Sequence, residues 1–189
     1  GVFTHEFGHA INLSHSQVNG PMVYQSYTFQ PYYPGVPSCV APVHKWDHWD
    51  DVGVNRADPA IIETMFPFIN SLAAVGQEQS TITHPDDIAG ISNLYPTASY
   101  RATTGSISGV LRLKDGRTEF SGINVIARNV NDPLHDAVSA MTGDQTQGLV
   151  GPDGRFTISN LTPGQDYLVY IEEIVAGGYP TAPNMLISQ

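Results

Sequence analysis

The sequence is poor in cysteine, in positive charge and in long apolar runs. Its 189 residues include a single cysteine, Cys39, so no internal disulfide can form and the disulfide-stapled class is excluded. Eight Lys and Arg against eighteen Asp and Glu give a formal charge of −10, which argues against a nucleic-acid or anionic-membrane partner. No apolar run approaches the roughly 18 residues of a membrane-spanning helix, so we expect no membrane span.

The composition is that of a folded, turn-rich protein. Hydrophobic residues make up 41% of the chain and charged residues only 14%, which excludes an acidic disordered tail. The 18 glycines and 14 prolines indicate many turns and loops. Few lysines beside many Asp, Asn, Gly and Thr residues are typical of exported proteins, so we expect an extracellular, secreted location.

The first half of the chain contains two predicted helices separated by a long polar segment. Residues 1–15 have a helical pattern, and residues 16–60 are polar and aromatic with many prolines and glycines. The string THPDDIAGISNLYP predicts a second helix that Thr83 or His84 can cap, with Pro85 in its first turn and Pro96 at its end. Helical spacing puts four apolar side chains on one face of it: Ile88, Ile91, Leu94 and Tyr95.

In the second half of the chain, apolar and polar residues alternate with a period of two, which is typical of strands. From Gly105, the segments GSISGVLRL, INVIARNV, GRFTIS and YLVYIEEI have strand patterns, and KDG and PDG turns separate them. This pattern predicts an all-β sandwich over residues 105–189 with a core of its own, preceded by a linker at residues 98–104. The predicted fold class of the whole chain is therefore α+β.

The string HEFGHAINLSH carries the strongest chemical signal. Residues four apart lie on one face of a helix, so His5 and His9 can present two imidazoles to one metal ion. Glu6 is rotated about 100° from His5, which places its carboxylate beside the metal rather than on it. His15 can join the other two only if the chain turns after His9. Asn12 lies where that turn must occur, and Asn readily adopts left-handed backbone conformations.

Zinc is the metal that suits such a site. A zinc ion bound by neutral imidazoles lowers the pKa of its water ligand toward 7, which yields a nucleophile at neutral pH. Glu6 can take the proton of that water as general base. The three histidines and the glutamate thus predict a metal site with an activated water, and the alternative interpretation is a surface helix with scattered histidines.

The same string resembles the zinc-binding motif of the metzincin metalloproteases, HExxHxxGxxH, with Asn12 in place of the usual Gly. Ser16 follows the third His, as in the matrixin branch. ETMFPF resembles the matrixin Met-turn, which implies that Met65 lies beneath the metal and that Pro67 and Phe68 line the wall of a substrate pocket. THPDDIAGISNLYP resembles the last helix of matrixin catalytic domains.

This resemblance implies that residues 1–97 are the lower half of a metzincin catalytic domain, with residues 17–60 as a large insertion. The upper sheet subdomain of that family would precede the zinc helix and is absent from the given chain, so we expect a longer native protein. The implied function is that of a secreted zinc endopeptidase that cleaves a protein or peptide substrate. The alternative is an extracellular structural or adhesive protein that keeps the zinc site as a fold element.

Two further features complete the prediction. The segment HKWDHWDD offers His44, Asp47 and His48 as ligands of a second metal ion, Ca²⁺ or Zn²⁺, and its alternative interpretation is a solvated polar loop. The β half resembles the carboxypeptidase regulatory-like (transthyretin-like) domains in GINVIA and DGRFTISNLTPGQDYLVYIEE, which implies a structural or attachment role. The oligomeric state is left open.

Overall fold

The structure is a computed structural model of the 189-residue chain. It describes five stretches of the sequence, and every structural statement below concerns them: residues 1–16, 18–19, 62–67, 82–143 and 153–172. The described part contains helices and antiparallel sheets, as expected for an α+β protein.

The first helix, α1 (Val2–Ala10), ends in a tight reversal of the chain. The amide of Ile11 donates to the carbonyl of Phe7 at 3.2 Å, and that of Leu13 donates to the carbonyl of Gly8 at 3.0 Å. Asn12 lies between them with φ of 69°, in the left-handed region. The turn predicted at Asn12 is thereby confirmed, and it redirects the chain so that His15 returns toward α1.

The second helix, α2 (Pro85–Leu94), begins where the sequence predicts. His84 is the N-cap residue, and its Nδ1 accepts a hydrogen bond from the amide of Asp86 at 3.2 Å. Pro85 occupies the first turn. Neither α1, with nine residues, nor α2, with ten, is long and apolar enough to cross a membrane, and no other helix of the described residues is either.

The buried side of α2 is not its apolar face. Ile88, Leu94 and Tyr95 are 37%, 45% and 55% exposed, whereas Asp87 and Ala89 are buried. Helical periodicity identifies which side chains share a face but not which face has a partner. Asp87 and Ala89 are two positions apart and so point to different sides of α2. Asp87 accepts backbone hydrogen bonds from Thr64 and Met65, and Ala89 packs against the sheets.

The β unit (residues 105–143 and 153–172) consists of two antiparallel sheets. The smaller sheet pairs β1 (Gly105–Val110) with β4 (Arg155–Leu161). The larger sheet has the strand order β3-β2-β5, in which β2 is central. Its strands are β2 (Asn124–Asn129), β3 (Ala137–Met141) and β5 (Tyr167–Glu172).

The two sheets share one core, and this core is not closed within the β unit. Val125 and Val138 of the larger sheet pack with Ile158 of the smaller one. The same cluster includes Ala89 of α2. A residue of the first half thus packs in the core of the β half, and independent folding of the β half stays a prediction.

The predicted linker also has a defined structure. A one-turn helix, α3 (Tyr100–Thr103), lies within residues 98–104. Tyr100 is buried, and its hydroxyl donates to Oγ of Ser159 on β4 at 3.2 Å. The chain between the halves is thus packed on the β unit, while the division into two domains at this point stays a prediction.

Candidate metal centre

The three predicted histidine ligands converge in the structure. His5 and His9 lie on one face of α1, one turn apart, and His15 reaches them from beyond the turn at Asn12. The Nε2 atom of His9 lies 3.1 Å from Nε2 of His5 and 3.1 Å from Nε2 of His15. One nitrogen from each ring lies within 4.8 Å of the other two, close enough for all three to bind one metal ion.

Backbone carbonyls orient two of the rings. Nδ1 of His5 donates to the carbonyl of Thr64 at 2.8 Å, and Nδ1 of His9 donates to the carbonyl of Leu13 at 2.8 Å. In a neutral imidazole with its proton on Nδ1, Nε2 carries a lone pair. The Nε2 lone pairs of these two rings therefore face one another, an arrangement that a cation between them would stabilise.

The spacing of the nitrogens fits a tetrahedral metal. Zinc binds imidazole nitrogen at about 2.0–2.1 Å, which puts two tetrahedral ligand nitrogens about 3.3 Å apart. The two distances of 3.1 Å from His9 are close to that value. Within the part of the chain that the structure describes, three imidazoles are the ligands, and a fourth tetrahedral position stays open, as in sites where a metal ion meets a substrate. The set of ligands and its geometry thus fit zinc.

Met65 packs against the middle of α1, the helix that carries His5 and His9. It is 2% exposed, and its sulfur occupies the space next to Gly8, in the middle of α1 between His5 and His9. A side chain larger than hydrogen at Gly8 would overlap the Met65 sulfur. The carbonyl of Met65 accepts a hydrogen bond from the amide of Ser16 at 3.0 Å. The turn that contains Met65 therefore supports both α1 and the segment that carries His15.

Asp87 holds that turn in place. Its carboxylate accepts hydrogen bonds from the amides of Thr64 at 2.7 Å and Met65 at 3.1 Å. Burial, together with the negative charge of nearby Glu63, raises the pKa of Asp87 to about 8. Thr64 in turn presents its carbonyl to His5. In the sequence Asp87 was only one residue of the predicted second helix, and no pattern within that helix indicated its contacts with the Met65 turn.

Glu6 lies at the edge of a small pocket beside the metal ligands. The pocket has a volume of about 90 Å³, and His5, Thr64 and Pro67 also line it. Glu6 itself is exposed, so its carboxylate is accessible to water and to substrate. Glu6 and Pro67 thus line the same pocket, while the predicted role of Pro67 and Phe68 as a substrate-pocket wall stays a prediction, and Phe68 lies outside the described residues.

The second metal cluster lies beyond the structural description. His44, Asp47 and His48 are all outside the described residues, so a calcium or zinc site there stays a prediction. Among the residues that the structure describes, the three histidines of the first motif are the one group with metal-ligand spacing.

A buried polar network joins His84 and Arg128 through Asn19. Burial lowers the pKa of His84 to about 4, so this ring is neutral, as its role as acceptor at the helix start requires. Arg128 is fully buried and donates to Oδ1 of Asn19 at 2.5 Å, to the carbonyl of Val18 at 2.7 Å and to the Tyr170 hydroxyl at 2.6 Å. These contacts attach the segment after the third histidine to the β unit. No sequence pattern indicated them.

Comparison with known proteins identified no relative of this chain. The residues brought together here are those of the motif, and their assignment depends on motif and geometry alone. No protein-family model, no curated protein and no solved structure matches the chain.

Proposed function

We propose that the protein is a secreted zinc endopeptidase of the metzincin type. The observation that carries the proposal is the convergence of His5, His9 and His15 with their Nε2 atoms at metal-binding distance. Glu6 is exposed and lines a small pocket together with His5. A structural metal site is usually closed by a fourth protein ligand, whereas three imidazoles and an adjacent free carboxylate suit hydrolysis.

In the proposed mechanism, a zinc ion bound by the three histidines would supply Lewis-acid chemistry, lowering the pKa of water and polarising the scissile carbonyl. Glu6 acts as general base: its carboxylate takes a proton from the attacking water and later passes that proton to the leaving amine. The carbonyls of Thr64 and Leu13 keep His5 and His9 in the tautomer that offers Nε2.

The pocket beside Glu6 provides a place for the substrate. A side chain next to the cleaved bond would lie against Pro67 and the neighbouring Phe66, which form an apolar wall. Protein or peptide substrates fit this arrangement, because the pocket is small and opens to solvent beside the base. A calcium ion at residues 44–51 and the extracellular location are parts of the same proposal.

Replacing Glu6 by Ala tests the mechanism. We expect cleavage of a protein substrate to fall by about 10²–10⁴-fold, as for the loss of a general base, while one zinc ion per chain is retained. Glu119→Ala is the matched control, because Glu119 is a partly exposed carboxylate of the β unit that pairs with Arg112. His9→Ala should lose both zinc and cleavage.

The outcomes separate the two functions considered. Unchanged proteolysis in the Glu6→Ala variant would refute Glu6 as the base. A wild-type protein that binds zinc and cleaves no protein substrate would favour the structural or adhesive alternative. A wild-type protein that binds no zinc would refute both.

A further inference from the structure

The carboxylate of Asp86 connects the metal centre with the β unit. Oδ2 of Asp86 accepts a hydrogen bond from the hydroxyl of Ser16, the residue that follows His15. Oδ1 accepts a hydrogen bond from the amide of Ser139 at 2.5 Å, and the Ser139 hydroxyl lies 3.1 Å from the same oxygen. One carboxylate therefore joins three segments that are far apart in the sequence.

Ser139 is well placed to act as a fixed point. It lies on β3, an edge strand of the larger sheet, opposite Ile126 of β2. Its neighbour Val138 is fully buried in the shared core, so the backbone at this point has little freedom. The amide of Ser139 is directed at Asp86 of α2.

The position of His15 depends on tertiary contacts more than the positions of His5 and His9 do. His5 and His9 are held by the backbone hydrogen bonds of α1, whereas His15 follows the turn at Asn12 and lies outside any helix or strand. The contacts that fix Ser16 are its amide hydrogen bond to the Met65 carbonyl and its hydroxyl hydrogen bond to Asp86. The hydrogen bond to Asp86 is partly buried, and hydrogen bonds shielded from water are stronger than exposed ones.

We propose that Ser139 of the β unit is a positioning residue for His15, acting through Asp86 and Ser16. The β unit is then part of the metal centre's support rather than an appended module. This inference rests on the proposed function, because it requires that the three histidines bind a metal ion.

The test uses the full chain with zinc and with Co²⁺ as a spectroscopic probe. Ser139→Pro removes the amide donor, and proline is tolerated on an edge strand. Ser16→Ala removes the hydroxyl at the other end of the connection. Ser159→Ala is the matched control: Ser159 also joins the β unit to α2, by a 2.8 Å hydrogen bond to Asn93, but has no connection to Ser16.

We expect both Ser139→Pro and Ser16→Ala to weaken zinc binding by about tenfold, the lower end of the range for residues that support metal ligands. The visible absorption of the cobalt-loaded protein should change in both variants, because a displaced His15 alters the coordination geometry. Ser159→Ala should keep the wild-type affinity and spectrum. Thermal unfolding of the metal-free proteins measures the general loss of stability in each variant.

The results discriminate between the proposals. Wild-type affinity and spectrum in Ser16→Ala would overturn the inference, even if Ser139→Pro failed to fold. If Ser16→Ala weakens zinc binding and Ser139→Pro does not, the role assigned to the β unit is wrong. The same holds if Ser159→Ala weakens zinc binding as much as Ser139→Pro does. Absence of zinc binding in the wild-type protein would instead refute the proposed function.

Discussion

The turn at Asn12 determines where His15 lies, so a substitution there should act on the metal rather than on the fold alone. Asn12 has φ of 69°, and a β-branched residue in this region is strongly disfavoured. Strain of this kind costs about 1–3 kcal/mol. If the metal-free protein relieves a strain of about 2 kcal/mol by letting the turn relax, zinc binding in Asn12→Val weakens by about 30-fold.

Competition with a chelator measures this change in zinc affinity. Asn12→Gly keeps access to positive φ and loses only a 3.3 Å hydrogen bond from Asn12 to the Tyr95 hydroxyl, so we expect near-normal affinity. Gly116→Val is the control for strain: Gly116 has φ of 68° in an open turn of the β unit, with no atom within 4 Å of an added Cβ. It should lower stability without changing zinc affinity. Wild-type affinity in Asn12→Val would show that His15 is held in another way or does not bind the metal.

Three further predictions concern stability. Burial raises the pKa of Asp87 from 3.8 to about 8, so the folded protein holds a proton that the unfolded chain releases. The contribution of Asp87 to the free energy of unfolding should therefore fall as the pH rises from about 4 to about 8, whereas His84, with its lowered pKa, contributes with the opposite sign below about pH 6.5. In urea titrations of the metal-free protein at several pH values, Asp87→Asn should remove this contribution to the pH dependence of the free energy of unfolding. The same pH dependence in the variant and the wild type would contradict the raised pKa of Asp87. Arg128→Met removes a buried, multiply bonded cation and should lower the free energy of unfolding by about 3 kcal/mol or more. Arg112→Met, in an exposed ion pair, should cost less than about 1 kcal/mol, and an equal loss in both variants would refute the argument. Residues 103–189 expressed alone lack Ala89 and should melt at a lower temperature than the β unit does in the full chain, whereas identical melting would show that this contact is dispensable.

The features that the sequence predicted correctly all depend on short-range geometry. Helical spacing of four residues is enough to put His5 and His9 on one face. A required reversal within a few residues is enough to identify Asn12 as the position with positive φ. The cap at His84 and the first turn at Pro85 follow from local hydrogen bonding and a fixed φ.

The buried side of α2 shows where such local reasoning ends. Four apolar residues at helical spacing predicted one face, yet the helix packs through Asp87 and Ala89 instead. Asp87 contacts the Met65 turn and Ala89 contacts the sheets, and both partners lie more than 20 residues away along the chain. No periodicity within the helix contains that information.

The residue types of the metal centre, their spacing and the turn that unites them were therefore determined by the sequence alone, since each depends on neighbours within about ten residues. Tertiary structure decided what holds the centre together: the Thr64 carbonyl on His5, Asp87 on the Met65 turn, and Ser139 on Asp86. These contacts join residues 22 to 59 positions apart in the chain. Hydrogen bonds of that range form only when whole elements pack, because a single donor or acceptor in the sequence does not specify its distant partner.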